Sequence, residues 1–183
     1  MKYRTAKSST SLYFVTSVIS EHTSIFTNDR IAQIPLNSLT WFRKQNIWKV
    51  YAFCLMPNLI HVIIKQLSEQ PIDYSIGKFH SYTGHEIIKD LTCEKQWTPL
   101  NIFKKAAKRI KTNREHVVWE DSLAKNIETE RVLLKETEYI HNNPNSKNWQ
   151  LAASRSEYAY SSACFYDCGT KPIIEIDDLR ELL

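Results

Sequence analysis

The sequence predicts an α+β sandwich, an antiparallel sheet covered by helices. Three observations lead there. Short β-branched and aromatic runs alternate with stretches of helical periodicity, in the order β-α-β-β-α and later β-α. A chain of 183 residues, 43% hydrophobic and 24% charged, fits one globular domain able to bury a core. Only three glycines occur, which argues against a glycine-rich phosphate loop and a loop-built all-β fold.

Residues 12–19 (LYFVTSVI) read as a buried strand. Residues 28–45 have helical spacing at Ile31, Ile34, Leu39 and Phe42, with Asn28 or Asp29 as cap. Pro35 falls inside, so two shorter helices are an alternative. Residues 48–55 (WKVYAFCL) form a second strand, Pro57-Asn58 a turn, and residues 61–65 a third strand antiparallel to the second. Residues 72–91 carry a helical stripe of Ile76, Phe79, Thr83, Ile87 and Leu91, weakened by Gly77 and Gly84. Residues 101–114 form a basic helix, residues 117–119 a short strand, and residues 128–142 a helix that Asn143-Pro144 stops. One domain over 1–170 is expected, followed by an acidic tail over 171–183 that either packs on the body or covers a ligand groove.

Net charge is +4, with a pI near 8.8, which favours a polyanionic partner. Cys54, Cys93, Cys164 and Cys168 have no zinc-type spacing and read as reduced thiols. The N-terminal MKYRTAKSSTSLYFV is basic but lacks a long apolar signal region, and no apolar run reaches membrane-spanning length. A cytoplasmic protein without membrane contact is the expectation.

Chemistry concentrates in two places. On the strand containing His61, side chains alternate, so residues 59, 61, 63 and 65 share a face. Histidines at both 59 and 61 could grip a divalent cation, but Leu59 offers no donor atom. On the later helix, Tyr139 and Asn143 lie one turn apart on one face, with Glu136 three residues earlier. A tyrosine hydroxyl, ordinarily ionising near pH ~10, is a poor nucleophile unless a cation or base assists it. The Asn143 amide oxygen is a hard ligand suited to Mg²⁺ or Mn²⁺, and Glu136 is an additional candidate. Equally, Tyr139 could pack in a core while Asn143 caps a helix end. Lys104, Lys105, Lys108, Arg109, Lys111 and Arg114 crowd the basic helix and could follow a phosphate backbone, or form a solvated face.

Met56-Pro57-Asn58-Leu59-Ile60-His61 and Tyr139-Ile140-His141-Asn142-Asn143-Pro144 together resemble the single-tyrosine HUH transposases, in particular the REP-associated tyrosine transposases and their insertion-sequence relatives. That family carries a segment like MPNHVHLL, a later YIHxNP and often Y-x-W-S-S. This chain reads MPNLIHVII at 56–64, YIHNNP at 139–144 and Tyr158-Ala159-Tyr160-Ser161-Ser162, the likeness spanning roughly residues 10–168.

The resemblance implies a ferredoxin-like sandwich. It implies single-stranded or hairpin DNA as partner, and Mg²⁺ or Mn²⁺ held by two histidines and a polar helix residue. In DNA transposition such a protein cleaves and rejoins a phosphodiester through a 5′-phosphotyrosine intermediate. By position, Tyr139 matches the nucleophile, His61 the second histidine and Asn143 the polar ligand, while Leu59 takes the place of the first histidine. Two expectations stand side by side. One is a metal-dependent tyrosine transposase in which water or Glu136 fills the vacated ligand position. The other is a catalytically impaired DNA-binding module of the same fold. A protein-interaction domain is a third, weaker reading. Relatives occur as monomers and as dimers, so the sequence leaves a homodimer open.

Overall fold

The computed structural model describes residues 11–183, so most of the basic N-terminal stretch read for targeting signals lies outside the described residues. Strand β1 (Leu12–Ile19) leads through two short 3-10 turns into helix α1 (Asp29–Lys44). Strands β2 (Trp48–Met56) and β3 (Leu59–Gln66) form a hairpin across Pro57-Asn58. Helices α2 (Ile72–Cys93) and α3 (Trp97–Arg109) follow, then strand β4 (Trp119–Asn126), helix α4 (Glu130–Asn142) and the short helix α5 (Ala163–Cys168). The strands form one sheet in the order β2-β3-β1-β4, with every neighbouring pair antiparallel. This is the ferredoxin-like α+β arrangement, in which two split β-α-β units interleave.

Both faces of the sheet are covered over β2, which is why that strand is apolar almost throughout. Val15, Val62 and Ile64 pack with Ile31, Leu36, Phe79 and Phe103 from α1, α2 and α3. Phe14, Ala52, Cys54 and Ile63 pack on the opposite face with Leu133 and Ile140 of α4. The pairing of β2 with β3 shifts between Val50 and Ala52, leaving Tyr51 as a bulge residue. Tyr51 and Ala52 therefore join the same core, on the α4 side.

Several boundaries differ from the sequence expectation for physical reasons. α1 is a single helix that runs through Pro35, held by the buried face of Ile31, Ala32, Leu36 and Leu39. Asn28 is its cap, accepting from the Arg30 amide at 3.0 Å. The strand expected at 117–119 begins only at Trp119 and extends to Asn126. Its alternation of half-buried and exposed residues is that of an edge strand, and its polar composition (WEDSLAKN) hides it. The basic helix starts earlier and ends earlier than 101–114: Ile110 caps α3 and Lys111 takes a left-handed φ of 52°. Lys111 and Arg114 thus lie beyond it.

The segment 171–183 packs on the body. Ile174 enters the core beneath α1 and α2, and Leu179 the opposite one. The Asp177 amide donates to the Val50 carbonyl at 2.7 Å, while the Asp177 carboxylate accepts from the Val50 amide and from Arg43. The outer edge of β2 is covered further along by residues 160–162. There the Leu55 amide donates to the Tyr160 carbonyl and the Ser162 amide to the Phe53 carbonyl. Among the described residues, no helix is long and apolar enough to cross a membrane.

Candidate functional site

The open part of the α4-side face lies over β1, β3 and β4. His61 sits in the middle of β3, directly opposite Thr16 on β1. Its Nδ1 is 2.8 Å from the Thr16 hydroxyl. The Phe14 ring stacks on it with centroids 5.5 Å apart. Leu59, next along the same face, pairs with Val18 and makes that end of the floor apolar.

α4 crosses above this floor. Thr129 caps its start by accepting from the Val132 amide at 3.3 Å. At its other end Asn143 keeps helical angles (φ −57°, ψ −45°) although Pro144 follows, and the chain tightens there into a 3-10 turn. The helical spacing expected between Tyr139 and Asn143 is therefore kept across the end of the helix. Tyr139 meets His61 edge-on (5.4 Å, 68°) and Phe14 edge-on (6.0 Å, 80°), yet remains 52% exposed. The Asn143 amide donates to His61 Nε2 at 2.9 Å.

Burial holds His61 neutral, its pKa pushed down to about 4. With Nε2 accepting from Asn143, the ring proton sits on Nδ1 and is donated to Thr16. Glu136 faces the same cavity but is only 8% exposed, and its carboxylate accepts from Lys125 Nζ at 2.7 Å. The cavity is about 580 Å³ in volume, and Lys135 lies at its rim.

The donors available for a divalent cation are thus His61 Nε2, engaged by Asn143, the Asn143 amide oxygen, and a carboxylate neutralised by Lys125. Leu59 adds none. Among the described residues, no three His, Cys, Asp or Glu side chains gather to hold a metal. Mg²⁺ and Mn²⁺ favour several oxygen ligands in regular geometry, and this set does not fit them as it stands.

His141, two residues after Tyr139, points the other way and is buried. Its Nε2 is 2.9 Å from the Ser162 hydroxyl, and Ser162 Oγ also accepts from the Phe53 amide at 3.0 Å. Burial pushes the His141 pKa down to about 4. Tyr158 donates to the Leu55 carbonyl at 2.8 Å, and Tyr160 to Asp29 at 2.6 Å. The Tyr158–Ser162 motif therefore anchors α4 to the edge of β2. Arg155 adds a clamp from outside, bonded to Glu138 of α4 and to both oxygens of Asp167.

The basic residues are not brought to the tyrosine. α3 packs through Leu100 and Phe103 into the core on the opposite side of the sheet. Arg109 is tied to Glu21 and Glu120, and Lys104 to Glu115. Lys105 and Lys108 stay exposed. The cations at the tyrosine cavity are Lys125 and Lys135, which the sequence reading did not single out. Lys135 lies one helical turn before Tyr139, and that spacing was the available signal.

No family model and no curated protein matches this sequence. Among solved structures, the chain is similar to a REP-associated tyrosine transposase bound to a REP hairpin. Sequence identity is 15% and the TM-score 0.59, covering 98% of this chain and 93% of that one. The fold is that of a REP-associated tyrosine transposase. A crystal structure described as that of a candidate transposase from Deinococcus radiodurans also matches, at 13% identity and a TM-score of 0.46, over 78% of this chain and 97% of that one.

Proposed function

We propose that the protein is a transposase-type DNA-binding protein acting on single-stranded or hairpin DNA, with Tyr139 as its strand-transfer nucleophile in a site that lacks one metal ligand. The observation that carries this reading is the cluster of Tyr139, His61 and Asn143 from two separate elements at one open cavity. The fold shared with a protein bound to a REP hairpin supports the choice of DNA as partner.

In this reading a phosphodiester enters over Lys135, whose charge offsets that of the phosphate, while Lys125 stays paired with Glu136. The Tyr139 oxygen attacks phosphorus. A new O–P bond forms, the P–O3′ bond breaks, and the strand separates into a 5′-phosphotyrosine and a free 3′-OH. The proton of Tyr139 leaves to solvent, because its ring is half exposed and the basic nitrogen of His61 is occupied. Rejoining is the reverse attack by a 3′-OH. A divalent metal, when bound, would polarise the phosphate. The donors present hold one poorly, so DNA binding survives here better than cleavage. Packing and phosphate contacts do not require a histidine at position 59.

A fully working enzyme is the second reading, favoured by Tyr139 lying at the cavity mouth rather than sealed in a core. The test is a denaturing gel of labelled single-stranded hairpin DNA incubated with the protein and Mn²⁺, beside an anisotropy titration of the same DNA. Salt-sensitive binding with little or no covalent adduct is expected of the impaired protein. An abundant adduct absent from Tyr139→Phe establishes the working enzyme. Absence of binding at low salt refutes both.

A further inference from the structure

A second cleft, of about 440 Å³, lies on the other side of the sheet between α2 and residues 114–119. Gly77 and Gly84, two of only three glycines in the chain, both line it. They stand seven residues apart and so share a helix face. Neither has a backbone angle that requires glycine: positive φ among glycines is found only at Gly169. Neither is required by packing. A Cβ at Gly77 would meet nothing within 4 Å, and one at Gly84 would make ordinary contact with Val118 at 3.7 Å. Glycine inside a helix costs stability relative to alanine, so two of them opening one cleft call for another cause.

Between the glycines, His80 lies parallel to Trp119 at 5.1 Å and 14°, and its Nε2 is 2.8 Å from the Ser17 hydroxyl. Burial, with the charge of Arg114 adding to it, keeps this ring neutral, its pKa pushed down to about 3. The opposite wall carries Arg114, Glu115 and His116, the Glu115 carboxylate being paired with Lys104, and His85 stands on α2 beside Gly84. Arg109 and Lys104 are occupied by carboxylates, whereas Arg114 is turned to the cleft. A flat neutral ring, a cation and a backbone cleared of side chains suit an aromatic base joined to a phosphate. The volume is in the range of about 300–1,000 Å³ usual for small-ligand sites.

We infer that this cleft holds one unpaired nucleotide of a bound DNA strand, its phosphate on Arg114 and its base on the His80 side of α2. The assignment rests on the DNA-binding reading above and adds to it a contact remote from Tyr139. Gly77→Leu fills the cleft while replacing glycine with a good helix former, so the fold is retained. Binding is measured by anisotropy on one hairpin with a short single-stranded extension and on the same hairpin without it, alongside thermal melting of each protein.

Gly77→Leu is expected to weaken binding of the extended hairpin by about tenfold and to leave the blunt hairpin nearly unchanged. Arg114→Gln, on an exposed segment, is expected to reduce the salt slope on the extended DNA by about 0.7, as befits one phosphate no longer neutralised. Equal affinity of wild type and both variants for the extended hairpin, at unchanged melting temperature, overturns the assignment and leaves the DNA reading standing. An equal weakening on both DNAs also overturns it. If wild type binds neither hairpin, the parent reading falls and this one with it.

Discussion

Replacing Leu59 by histidine asks whether one side chain separates this protein from a cleaving enzyme. Leu59 is half-buried on the same face as His61, two residues along the strand and therefore about 7 Å away. A histidine there would reach the same cavity. Removing the leucine costs about 1 kcal/mol of burial, because the side chain is only partly covered. For a cation to bind, Asn143 must also turn its oxygen inward and release His61 Nε2, giving up a hydrogen bond worth about 1 kcal/mol. Both terms are small beside the cost of a misplaced reaction centre, about a hundredfold in rate for an error of about 1 Å. Leu59→His is therefore expected to raise the rate of adduct formation with Mn²⁺ and hairpin DNA by about a hundredfold, equivalent to about 2.7 kcal/mol. Calorimetric titration should show a matching gain in Mn²⁺ affinity, and Leu59→His/Tyr139→Phe should form no adduct. If wild type forms the adduct as fast as Leu59→His, or if the variant binds Mn²⁺ no better, the leucine is not what limits the site and the reasoning fails.

Stability should fall on acidification. His61, His80 and His141 have folded pKa values pushed down to about 4, 3 and 4, below the ordinary value of 6.5. Between pH 6.5 and about 4 the unfolded chain binds more protons, so each histidine destabilises the fold by up to about 1.4 kcal/mol per pH unit. Urea midpoints at pH 7 and pH 5 check this, and equal midpoints would contradict it. Ser162→Ala strips the partner from buried His141 Nε2 and one from the Phe53 amide. It should cost about 1–3 kcal/mol in the same urea assay. Lys105→Gln/Lys108→Gln should lower the salt slope of single-stranded DNA binding by about 0.7 for each phosphate these lysines neutralise. An unchanged slope would mean that α3 is a solvated face.

The fold was legible because its strongest signals are periodic. Buried β1, β2 and β3 read as apolar runs, and the stripe of α2 survived two glycines. β4 was harder to see, because an edge strand facing solvent has few apolar residues to betray it. The Tyr139–Asn143 pairing could be read from spacing. That Asn143 would hold its helical turn against Pro144 and occupy His61 could not, because it depends on where α4 docks. Likewise, the basic stretch announced charge but not direction. Only the tertiary arrangement sends α3 to the far side of the sheet, leaves Lys135 and Lys125 beside the tyrosine, and commits Glu136 to Lys125.

The covering of β2 has a consequence for how the molecule is made. Phe53 and its partner Ser162 are 109 residues apart. During synthesis the most buried strand of the protein therefore emerges long before the residues that close its edge. Until then the β2–β3 hairpin offers an open ladder to any neighbouring nascent chain. Pro57-Asn58 lets the hairpin form at once, but only the last part of the chain retires that edge. A chain cut short before residue 160 keeps nearly the whole sheet but leaves that border open, so the C-terminal segment is what closes the most buried strand to edge pairing.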